Sequence, residues 1–318
     1  MKLFVWQPIF SVFSMVCAVV FCSTCAVTGQ QAPAAGAASG GETKPPATRG
    51  RVEYATFQSA SLGRAVNYAV SLPASYDQDK SRRYPVVIFL HGLFNSERDW
   101  EGRGIEAKLQ ELRTAGKVGE YIVAMPYGEN SFYINSKSGV RYEDAIVKDF
   151  IPFVDKSFRT IAKPEHRLIE GISMGGYGAL LIAFKHPELF SGVVTHCAAL
   201  FEEAPKPPSS ASDMRGQYRY KIATELYGNP PDTSFFQENN PLYLAKTNAA
   251  KLKKLKIYFD VGSEDRYGFD VGNKLLNQIL TDAGVEHEFT LAPGNHGWSF
   301  LLSRGEPAFT CCWKAVKK

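Results

Sequence analysis

Ser173 stands at the centre of a short motif, GISMG at residues 171–175, with a glycine two places before it and another two places after it. Apolar residues precede and follow the motif, so we expect a strand that ends at the serine and a helix that begins after it. Glycine permits turns too tight for other residues. This pattern on a strand–turn–helix is typical of a turn that presents a nucleophilic hydroxyl. An ordinary turn is the alternative.

A serine hydroxyl becomes a useful nucleophile only beside a base, and the base is oriented by an acid. The chain has six histidines, of which His296 directly follows the last predicted strand, in the sequence GNHGWSF. The carboxyl ends of parallel strands meet at one rim of a sheet, where Ser173 also lies. We therefore predict His296 as the base.

Candidate acids occur together in KIYFDVGSEDRYG, residues 256–268, which contains Asp260, Glu264 and Asp265. Asp265 follows the turn after this predicted strand, so it is the predicted partner of His296. Asp260 still lies within the strand and is the alternative, whereas we interpret Glu264 as solvated. The resulting order along the chain is serine, acid, histidine, as in α/β-hydrolases.

Attack on an ester carbonyl builds up an oxyanion that backbone N–H groups can stabilise. Residues 90–95, LHGLFN, end a predicted buried strand with a His-Gly turn. Such a turn can direct the N–H of Leu93 towards the N–H of Met174, so we predict these two groups as the oxyanion donors. His91 then shapes the turn. The alternative is that the His-Gly pair only ends the strand.

Aromatic residues near these motifs are candidates for a substrate pocket, since aromatic walls suit acyl chains, sugars and aryl groups. The candidates are Trp100, Phe132, Tyr133 and Trp298. Packing in the core is the alternative for each. The sequence has no H-E-x-x-H motif and no metal-ligand spacing of cysteine and histidine, so we predict neither a metal nor another cofactor.

Strands that alternate with helices must position these residues. Two alternating stretches around residues 52–73 predict an antiparallel hairpin. Apolar strands are then predicted within 84–92, 121–128, 167–173, 190–200, 256–262 and 286–294, with helical patterns between most of them. We therefore expect the α/β-hydrolase fold: a mostly parallel central sheet opened by an antiparallel hairpin, with helices on both faces.

The N-terminal region has the order of a secretory signal. Lys2 precedes a run without charged residues, and small residues follow it, so we predict a signal peptide over residues 1–26 and export from the cytosol, secreted or periplasmic. An uncleaved membrane anchor is the alternative. Residues 27–50, rich in Ala, Gly and Pro, predict a disordered linker. One catalytic domain then spans 51–318, with a lid-like insertion at about 201–250.

The overall charge and the cysteines argue against a nucleic-acid-binding protein and against a disulfide-rich protein. The net charge is +4, and the densest basic stretch, residues 251–256, leads into a predicted strand, so we predict no nucleic-acid binding. Three of the six cysteines lie in the leader, which leaves an odd number and no disulfide framework. We interpret Cys197 as a small buried hydrophobe and assign no chemistry to Cys311 and Cys312.

Several of these stretches resemble the putative-esterase family of α/β-hydrolases. They are LHGLFNSERDW, GISMGGYGALLIAFKHPELFSGVV, YFDVGSED, GNHGWSF and the region from YGENSFY to DKSFRT. The family includes tributyrin-type, feruloyl and acetylxylan esterases, S-formylglutathione hydrolases and mycolyltransferases. The resemblance covers about residues 51–302 and implies the same roles for Ser173, Asp265, His296, Leu93 and Met174. The chain departs from the family pattern at its C-terminal end and at Glu170, where a carboxylate could approach the turn.

The sequence thus predicts a secreted serine carboxylesterase that hydrolyses short-chain acyl esters or acylated carbohydrates through an acyl-enzyme. Its partner would be a small-molecule or carbohydrate ester. An acyltransferase that passes the acyl group to an alcohol is the first alternative, because the motifs do not distinguish water from an alcohol. A non-catalytic carbohydrate-binding module on the same fold is the second, and it predicts a missing member of the Ser–His–Asp set.

Overall fold

The computed structural model describes residues 50–317, so the predicted signal peptide and nearly all of the predicted linker lie outside the described residues. Within the described part, the predicted hairpin is present: β1 (Arg51–Ser59) pairs antiparallel with β2 (Arg64–Leu72). Within residues 50–317, we find no helix with the length and apolar character that a membrane crossing requires.

Six further strands extend this hairpin into a sheet of eight strands within residues 50–317. They are β3 (Val86–Leu90), β4 (Ile122–Pro126), β5 (Arg167–Ile172), β6 (Gly192–His196), β7 (Lys256–Gly262) and β8 (Glu288–Ala292). The spatial order is β1-β2-β4-β3-β5-β6-β7-β8. Strand β2 is antiparallel to β4, and the strands from β4 to β8 are all parallel. This confirms the predicted mostly parallel sheet.

Helices connect the strands and cover both faces of the sheet. They are α1 (Asp99–Gly102), α2 (Ile105–Thr114), α3 (Tyr142–Asp144), α4 (Ile151–Ser157), α5 (Met174–Lys185), α6 (Met214–Tyr227), α7 (Thr233–Glu238), α8 (Pro241–Thr247), α9 (Ala249–Leu252), α10 (Phe269–Asp282) and α11 (Trp298–Val316). A π-helical segment, Ala145–Phe150, joins α3 to α4.

Side chains that alternate along each strand divide the core into two layers. On β3, Val86 and Ile88 face the layer that α5 and α10 cover, whereas Val87 and Phe89 face the layer that α2 and α11 cover. All five residues of β3 are buried, as expected for a parallel strand covered on both faces.

The predicted insertion at 201–250 contains α6 to α9, and its first helix is longer than the sequence indicated. The apolar pattern of the sequence predicts only a short helix around residues 220–226 within this insertion, whereas α6 extends from Met214 to Tyr227. Its N-cap is Asp213, whose Oδ1 accepts a hydrogen bond from the N–H of Gly216 at 2.8 Å. The helix therefore begins six residues before residue 220, where the apolar pattern begins. A side-chain cap can start a helix in a polar stretch that has no such pattern.

Candidate active site

Ser173 lies in a strained turn between β5 and α5. Its backbone has φ 58° and ψ −115°, a conformation that non-glycine residues rarely adopt. Hydrogen bonds on both sides hold it there. The N–H of Ser173 donates to the carbonyl of His196 at 2.9 Å, and its own carbonyl accepts from Tyr177 at 3.0 Å and from Ala199 at 3.1 Å. The strain therefore persists because the surrounding backbone determines the turn.

The two glycines of the motif make room for the turn. A side chain at Gly171 would collide with the carbonyl of Gly175, and a side chain at Gly175 would collide with the carbonyl of Leu90 on β3. Both obstacles are backbone atoms, which cannot rotate away. The glycines are needed because the start of α5 passes directly against β3 and β5.

We expect Gly175→Ala to destabilise the protein by about 3 kcal/mol or more, because its methyl group would overpack the contact with β3. Urea unfolding of the purified variant measures this loss. Gly102→Ala is the matched control, since a Cβ at Gly102 would meet no atom within 4 Å. Equal stability of the two variants would show that the close approach at Gly175 does not constrain the fold.

Three side chains from distant parts of the sequence meet at the carboxyl rim of the sheet. Nε2 of His296 lies 2.9 Å from Oγ of Ser173, and Nδ1 of His296 lies 2.7 Å from Oδ2 of Asp265. A proton on Nδ1 donates to Asp265, which leaves Nε2 to accept the serine hydroxyl. The arrangement can remove a proton from Oγ while the carboxylate stabilises the positive imidazole that forms.

Backbone contacts between two loops place the acid against the histidine. The N–H of Glu264 donates to the carbonyl of Gly294 at 3.0 Å. The side chain of Asn295 accepts from the N–H of Arg266 at 3.0 Å and from that of His296 at 2.7 Å. The loops after β7 and β8 therefore form one unit that carries both Asp265 and His296.

Asp265 is ionised under ordinary conditions. Its burial alone would raise the pKa of the carboxyl group, but hydrogen bonding to His296, the charge of that imidazole and the N–H groups of Tyr267 and Phe269 together lower it below the usual value. The N–H of Tyr267 donates to Oδ1 at 2.9 Å, so both carboxylate oxygens are bonded. Such a carboxylate holds the imidazole in one tautomer.

The turn after β3 lies beside Ser173. A Cβ placed on Gly92 would come 3.5 Å from the Cβ of Ser173, so the two backbones are neighbours. Leu93 and Met174 both line the cavity above the serine. Among the described residues, the backbone N–H of neither donates a hydrogen bond to another protein group. Two free N–H groups near one serine are what an oxyanion site requires.

His91 is neutral and supports the turn. The N–H of Gly128 donates to its Nε2 at 2.9 Å, and Nδ1 lies 2.8 Å from the carbonyl of Gly92, to which it donates. Burial lowers the pKa of His91 to about 4. The ring therefore links the turn after β3 to the loop after β4 without carrying a charge.

A cavity of about 600 Å³ opens above Ser173 and His296. Phe132 and Trp298 line it, as two of the four predicted wall residues. The expectation for Trp100 and Tyr133 is wrong. Both are buried in the core, where Trp100 packs edge-on against Phe89 at 4.8 Å between ring centroids and donates to Glu106. Tyr133 donates to the carbonyl of His91 at 3.2 Å, so its hydroxyl supports the same turn from below.

Asp260, the alternative acid, contacts a different histidine. Its Oδ1 lies 2.8 Å from Nδ1 of His196, and its Oδ2 accepts from the hydroxyl of Tyr258 at 2.8 Å. Nε2 of His196 lies 3.4 Å from Oε1 of Glu170. These side chains lie on the face of the sheet that α11 covers. Glu170 therefore does not approach the serine turn through its side chain, contrary to the possibility drawn from the sequence.

The imidazole of His196 is charged although it is fully buried. Burial alone would lower the pKa of His196, but the charges of Asp260 and Glu170, and the hydrogen bonds to them, raise it to about 10. Arg304 on α11 adds a second cation, with Nε 3.4 Å from Asp260. Only the backbone of His196 contacts the serine turn, since its carbonyl accepts from the N–H of Ser173.

We expect the free energy of unfolding to fall as the pH rises from about 6.5 towards 10, because folded His196 keeps a proton that the unfolded chain releases. The stabilisation is complete below the unfolded pKa and is lost as the pH passes the folded one. One proton accounts for at most about 1.4 kcal/mol per pH unit. Urea unfolding at several pH values, compared with His196→Asn, isolates this contribution.

The matched control for that comparison is His166→Asn, which removes a partly buried imidazole bonded to the carbonyl of Val316 at 2.7 Å. It should retain the pH dependence of the wild type. An identical slope in His196→Asn and the wild type would contradict the assignment of the proton to His196.

One group of potential metal ligands occurs among the described residues. Sγ of Cys197, a carboxylate oxygen of Asp265 and a ring nitrogen of His296 all lie within 4.8 Å of one another. Burial raises the pKa of Cys197 to about 12, so the thiol is protonated at neutral pH and is a weak ligand. Asp265 and His296 already bond each other. The absence of a metal stays a prediction.

Cavity residues on α6, in the loop before α10 and at the first position of α10 were not predicted from the sequence. Arg215, Tyr218 and Arg219 on α6 line the cavity, so this part of the predicted insertion forms a wall. The rings of Tyr267 and Phe269 pack on that of His296, with centroids 4.7 and 5.4 Å away. Tyr267 and Phe269 follow the predicted acid, Asp265, by two and four residues, so their closeness to it in sequence could have indicated that they lie near His296. The opening of a lid stays a prediction.

Comparison with known proteins identifies relatives of this chain. A family model described as "Putative esterase" matches residues 59–301. The endo-1,4-beta-xylanase/feruloyl esterase of Xylanibacter ruminicola is 34% identical over 149 residues, which are 44% of this chain and 20% of that protein. The chain thus spans about a fifth of that relative's length. The acetyl esterase of Caldicellulosiruptor saccharolyticus is 28% identical over 252 residues, 77% of this chain and 91% of that protein.

A solved structure of a ferulic acid esterase superposes with a TM-score of 0.72 at 25% identity, over 85% of this chain and 99% of that chain. This likeness and the strand order together confirm the predicted α/β-hydrolase fold.

Proposed function

Because the chain belongs to the putative esterase family, we propose that it is a serine esterase in which Ser173 is the nucleophile, His296 the base and Asp265 the orienting acid. The observation that carries this proposal is the continuous hydrogen-bonded series from Oγ of Ser173 through the imidazole to the carboxylate. Its position at the floor of an open cavity gives a substrate access to the hydroxyl.

In the first half of the reaction, Oγ of Ser173 attacks the ester carbonyl as Nε2 of His296 takes its proton. The carbonyl oxygen becomes negative and accepts hydrogen bonds from the N–H groups of Leu93 and Met174. When this intermediate collapses, the bond to the alcohol oxygen breaks and His296 returns the proton to that oxygen. The alcohol leaves, and an acyl group remains on Ser173.

In the second half, His296 takes a proton from water as the water oxygen attacks the acyl carbonyl. Collapse of the second intermediate breaks the bond to Oγ, and the proton passes back to Ser173. Asp265 stays ionised throughout, because its two oxygens remain hydrogen-bonded to His296 and to the N–H of Tyr267. The products are a carboxylic acid and the free enzyme.

We infer that the substrates are short-chain acyl esters or acylated carbohydrates. Aromatic walls, among them Phe132, Tyr267 and Trp298, and the volume of about 600 Å³ support a small acyl or sugar group. The relatives named feruloyl esterase and acetyl esterase support the same class. Action outside the cytosol is part of the proposal and rests on the leader-like sequence of residues 1–26; sequencing of the N-terminus of exported protein tests it.

A panel of esters from acetate to palmitate, with feruloyl sugars and acetylated xylan, tests the activity and its substrate class. We expect turnover of short acyl or acylated-sugar esters and labelling of Ser173 by a fluorophosphonate. Folded protein that hydrolyses no member and takes up no label would contradict the proposal. An added alcohol acceptor tests the alternative, acyl transfer, since new ester in excess over free acid would favour it.

A further inference from the structure

Three arginines gather on one side of the cavity, separated from the histidine by two aromatic rings. The guanidinium carbons of Arg215 and Arg266 lie 5.4 and 5.1 Å from the ring centroid of Tyr267. That of Arg219 lies 5.8 Å from the centroid of Phe269. Both rings contact the imidazole of His296, so each guanidinium is one ring away from the reacting groups.

Within residues 50–317, these three guanidinium groups form no ion pair with a carboxylate. In the part of the chain that the structure describes, no carboxylate oxygen lies within 4.0 Å of Arg215, Arg219 or Arg266. Arg103, which lines the same cavity, is different, since its Nε lies 2.8 Å from Oδ1 of Asp99. Among the described residues, the three arginines therefore add positive charge to the cavity without a carboxylate in ion-pair contact.

Backbone carbonyls hold two of the arginines in place. Nη1 of Arg215 donates to the carbonyl of Arg266 at 3.2 Å, and Nη2 of Arg219 donates to the carbonyl of Tyr267 at 3.0 Å. Each guanidinium has five N–H donors, so most remain for a ligand. The bonds tie α6 to the loop that carries Asp265, which brings the charges together over the cavity.

Arg219 lies close enough to Arg215 for the two positive charges to repel each other. Burial and the neighbouring charge of Arg215 lower the pKa of Arg219, although the carboxylates of Asp213 and Asp265 act against this. Asp265 is engaged with His296, and Oδ1 of Asp213 accepts the N–H of Gly216 at the start of α6. An anionic ligand would remove the repulsion and form charge-assisted hydrogen bonds with the planar guanidinium groups.

We propose that this cavity selects esters that carry an anionic group, such as a carboxylate, at a distance from the ester carbonyl of about the width of one aromatic ring. That distance is set by the protein's own rings, Tyr267 and Phe269. The inference rests on the proposed esterase function and adds the charge of its substrate. Arg215, Arg219 and Arg266 bind the anionic group, and Tyr267 and Phe269 separate it from His296. This separation keeps the anion from pairing with the imidazole that becomes positive during the reaction.

Matched pairs of esters test this inference on the acyl side and on the alcohol side. Mono-4-nitrophenyl adipate is compared with 4-nitrophenyl hexanoate, and 3-(4-acetoxyphenyl)propanoate with its neutral amide. We expect kcat/KM to favour the anionic member of at least one pair by about tenfold or more, as charge-assisted hydrogen bonds provide. The preference should weaken as salt is added.

Variants assign that preference to the arginines. Arg215→Gln and Arg219→Gln should each lower the ratio of anionic to neutral kcat/KM at least threefold, and Arg215 is exposed, so its variant should keep the fold. Lys221→Gln is the matched control, because it removes an exposed positive charge from α6 outside the cavity lining and should keep the wild-type ratio.

Neutral esters hydrolysed as well as anionic ones in both pairs would overturn the inference and leave the proposed esterase function intact. A ratio unchanged in both arginine variants would overturn it in the same way. If no ester of either kind is hydrolysed and Ser173 takes up no fluorophosphonate, the proposed function itself fails, and this inference fails with it.

Discussion

Ser173→Ala should lower kcat on 4-nitrophenyl acetate or butyrate by roughly 10⁴-fold or more, with an unchanged thermal unfolding midpoint. The substitution removes only Oγ, the atom 2.9 Å from Nε2 of His296. The backbone hydrogen bonds that hold the turn remain available: the N–H of Ser173 donates to the carbonyl of His196, and the N–H of Tyr177 donates to the carbonyl of Ser173. Steady-state kinetics and differential scanning fluorimetry of the two proteins measure the two quantities.

The control for this substitution is Ser191→Ala. Ser191 immediately precedes β6, at the amino end of the parallel strands and opposite the rim that carries Ser173. Its hydroxyl donates to the carbonyl of Arg167 at 3.0 Å. This variant should retain wild-type kcat and its fluorophosphonate labelling, whereas Ser173→Ala should lose both. Substantial labelling of the folded Ser173→Ala protein would mean that another residue is the nucleophile.

Asp265→Asn should lower kcat by about 10³- to 10⁴-fold with little loss of stability, because an amide that donates to Nδ1 favours the tautomer whose Nε2 carries the proton. Such an imidazole cannot accept the proton of the Ser173 hydroxyl. KM should change much less than kcat, since Asp265 is directed at His296 and the cavity wall is left intact. Steady-state kinetics at neutral pH, with unfolding in urea, measures both effects.

Asp260→Asn is the matched comparison, since it makes the same change in the alternative acid. Removal of one charge from the buried cluster of Asp260, His196 and Glu170 should destabilise the fold by about 3–5 kcal/mol. The fraction that stays folded should keep kcat within about tenfold of the wild type. A folded Asp260→Asn protein without activity, beside an active Asp265→Asn, would reverse the assignment of the acid.

The positions of the two predicted carboxylates illustrate a limit of sequence reasoning. Asp260 and Asp265 are five residues apart, and both belong to one strand-and-loop segment. The strand ends at Gly262, so side-chain alternation directs Asp260 into the layer under α11, while the following loop carries Asp265 to the rim. The exact end of the strand decides whether a carboxylate points into the buried layer or lies at the rim. The end of a strand depends in turn on its pairing with the adjacent strands of the sheet.

Aromatic residues illustrate the same limit differently. Trp100, Phe132, Tyr133 and Trp298 are candidates for the cavity wall on sequence, with packing in the core as the alternative for each. The sequence does not show which of them are buried on all sides, as Trp100 and Tyr133 are. Trp100 meets Phe309, which is more than two hundred positions away in the chain, at 6.0 Å between ring centroids. Only contacts between such distant elements decide whether an aromatic side chain is core or wall.

The arginine cluster depends on tertiary structure for the same reason. Arg215 and Arg219 are four residues apart, so a helix brings them to one face. Arg266, however, follows β7 and joins them only because α6 packs over the loop that carries Asp265. Nothing in the local sequence around residue 266 indicates that neighbouring charges would be left without carboxylate partners.

The sequence by itself determined the alternation of strands and helices, the turn at Ser173 and the location of His296 beyond the last strand. These features depend on local patterns: apolar periodicity, glycine spacing and position relative to a strand end. The sequence favoured Asp265 over Asp260 as the partner of His296, and the tertiary structure shows that contact. The tertiary structure alone decided which aromatic rings face the cavity and where the arginines of the cavity wall collect. These depend on the packing of segments that are distant in the chain, and local periodicity carries no information about that packing.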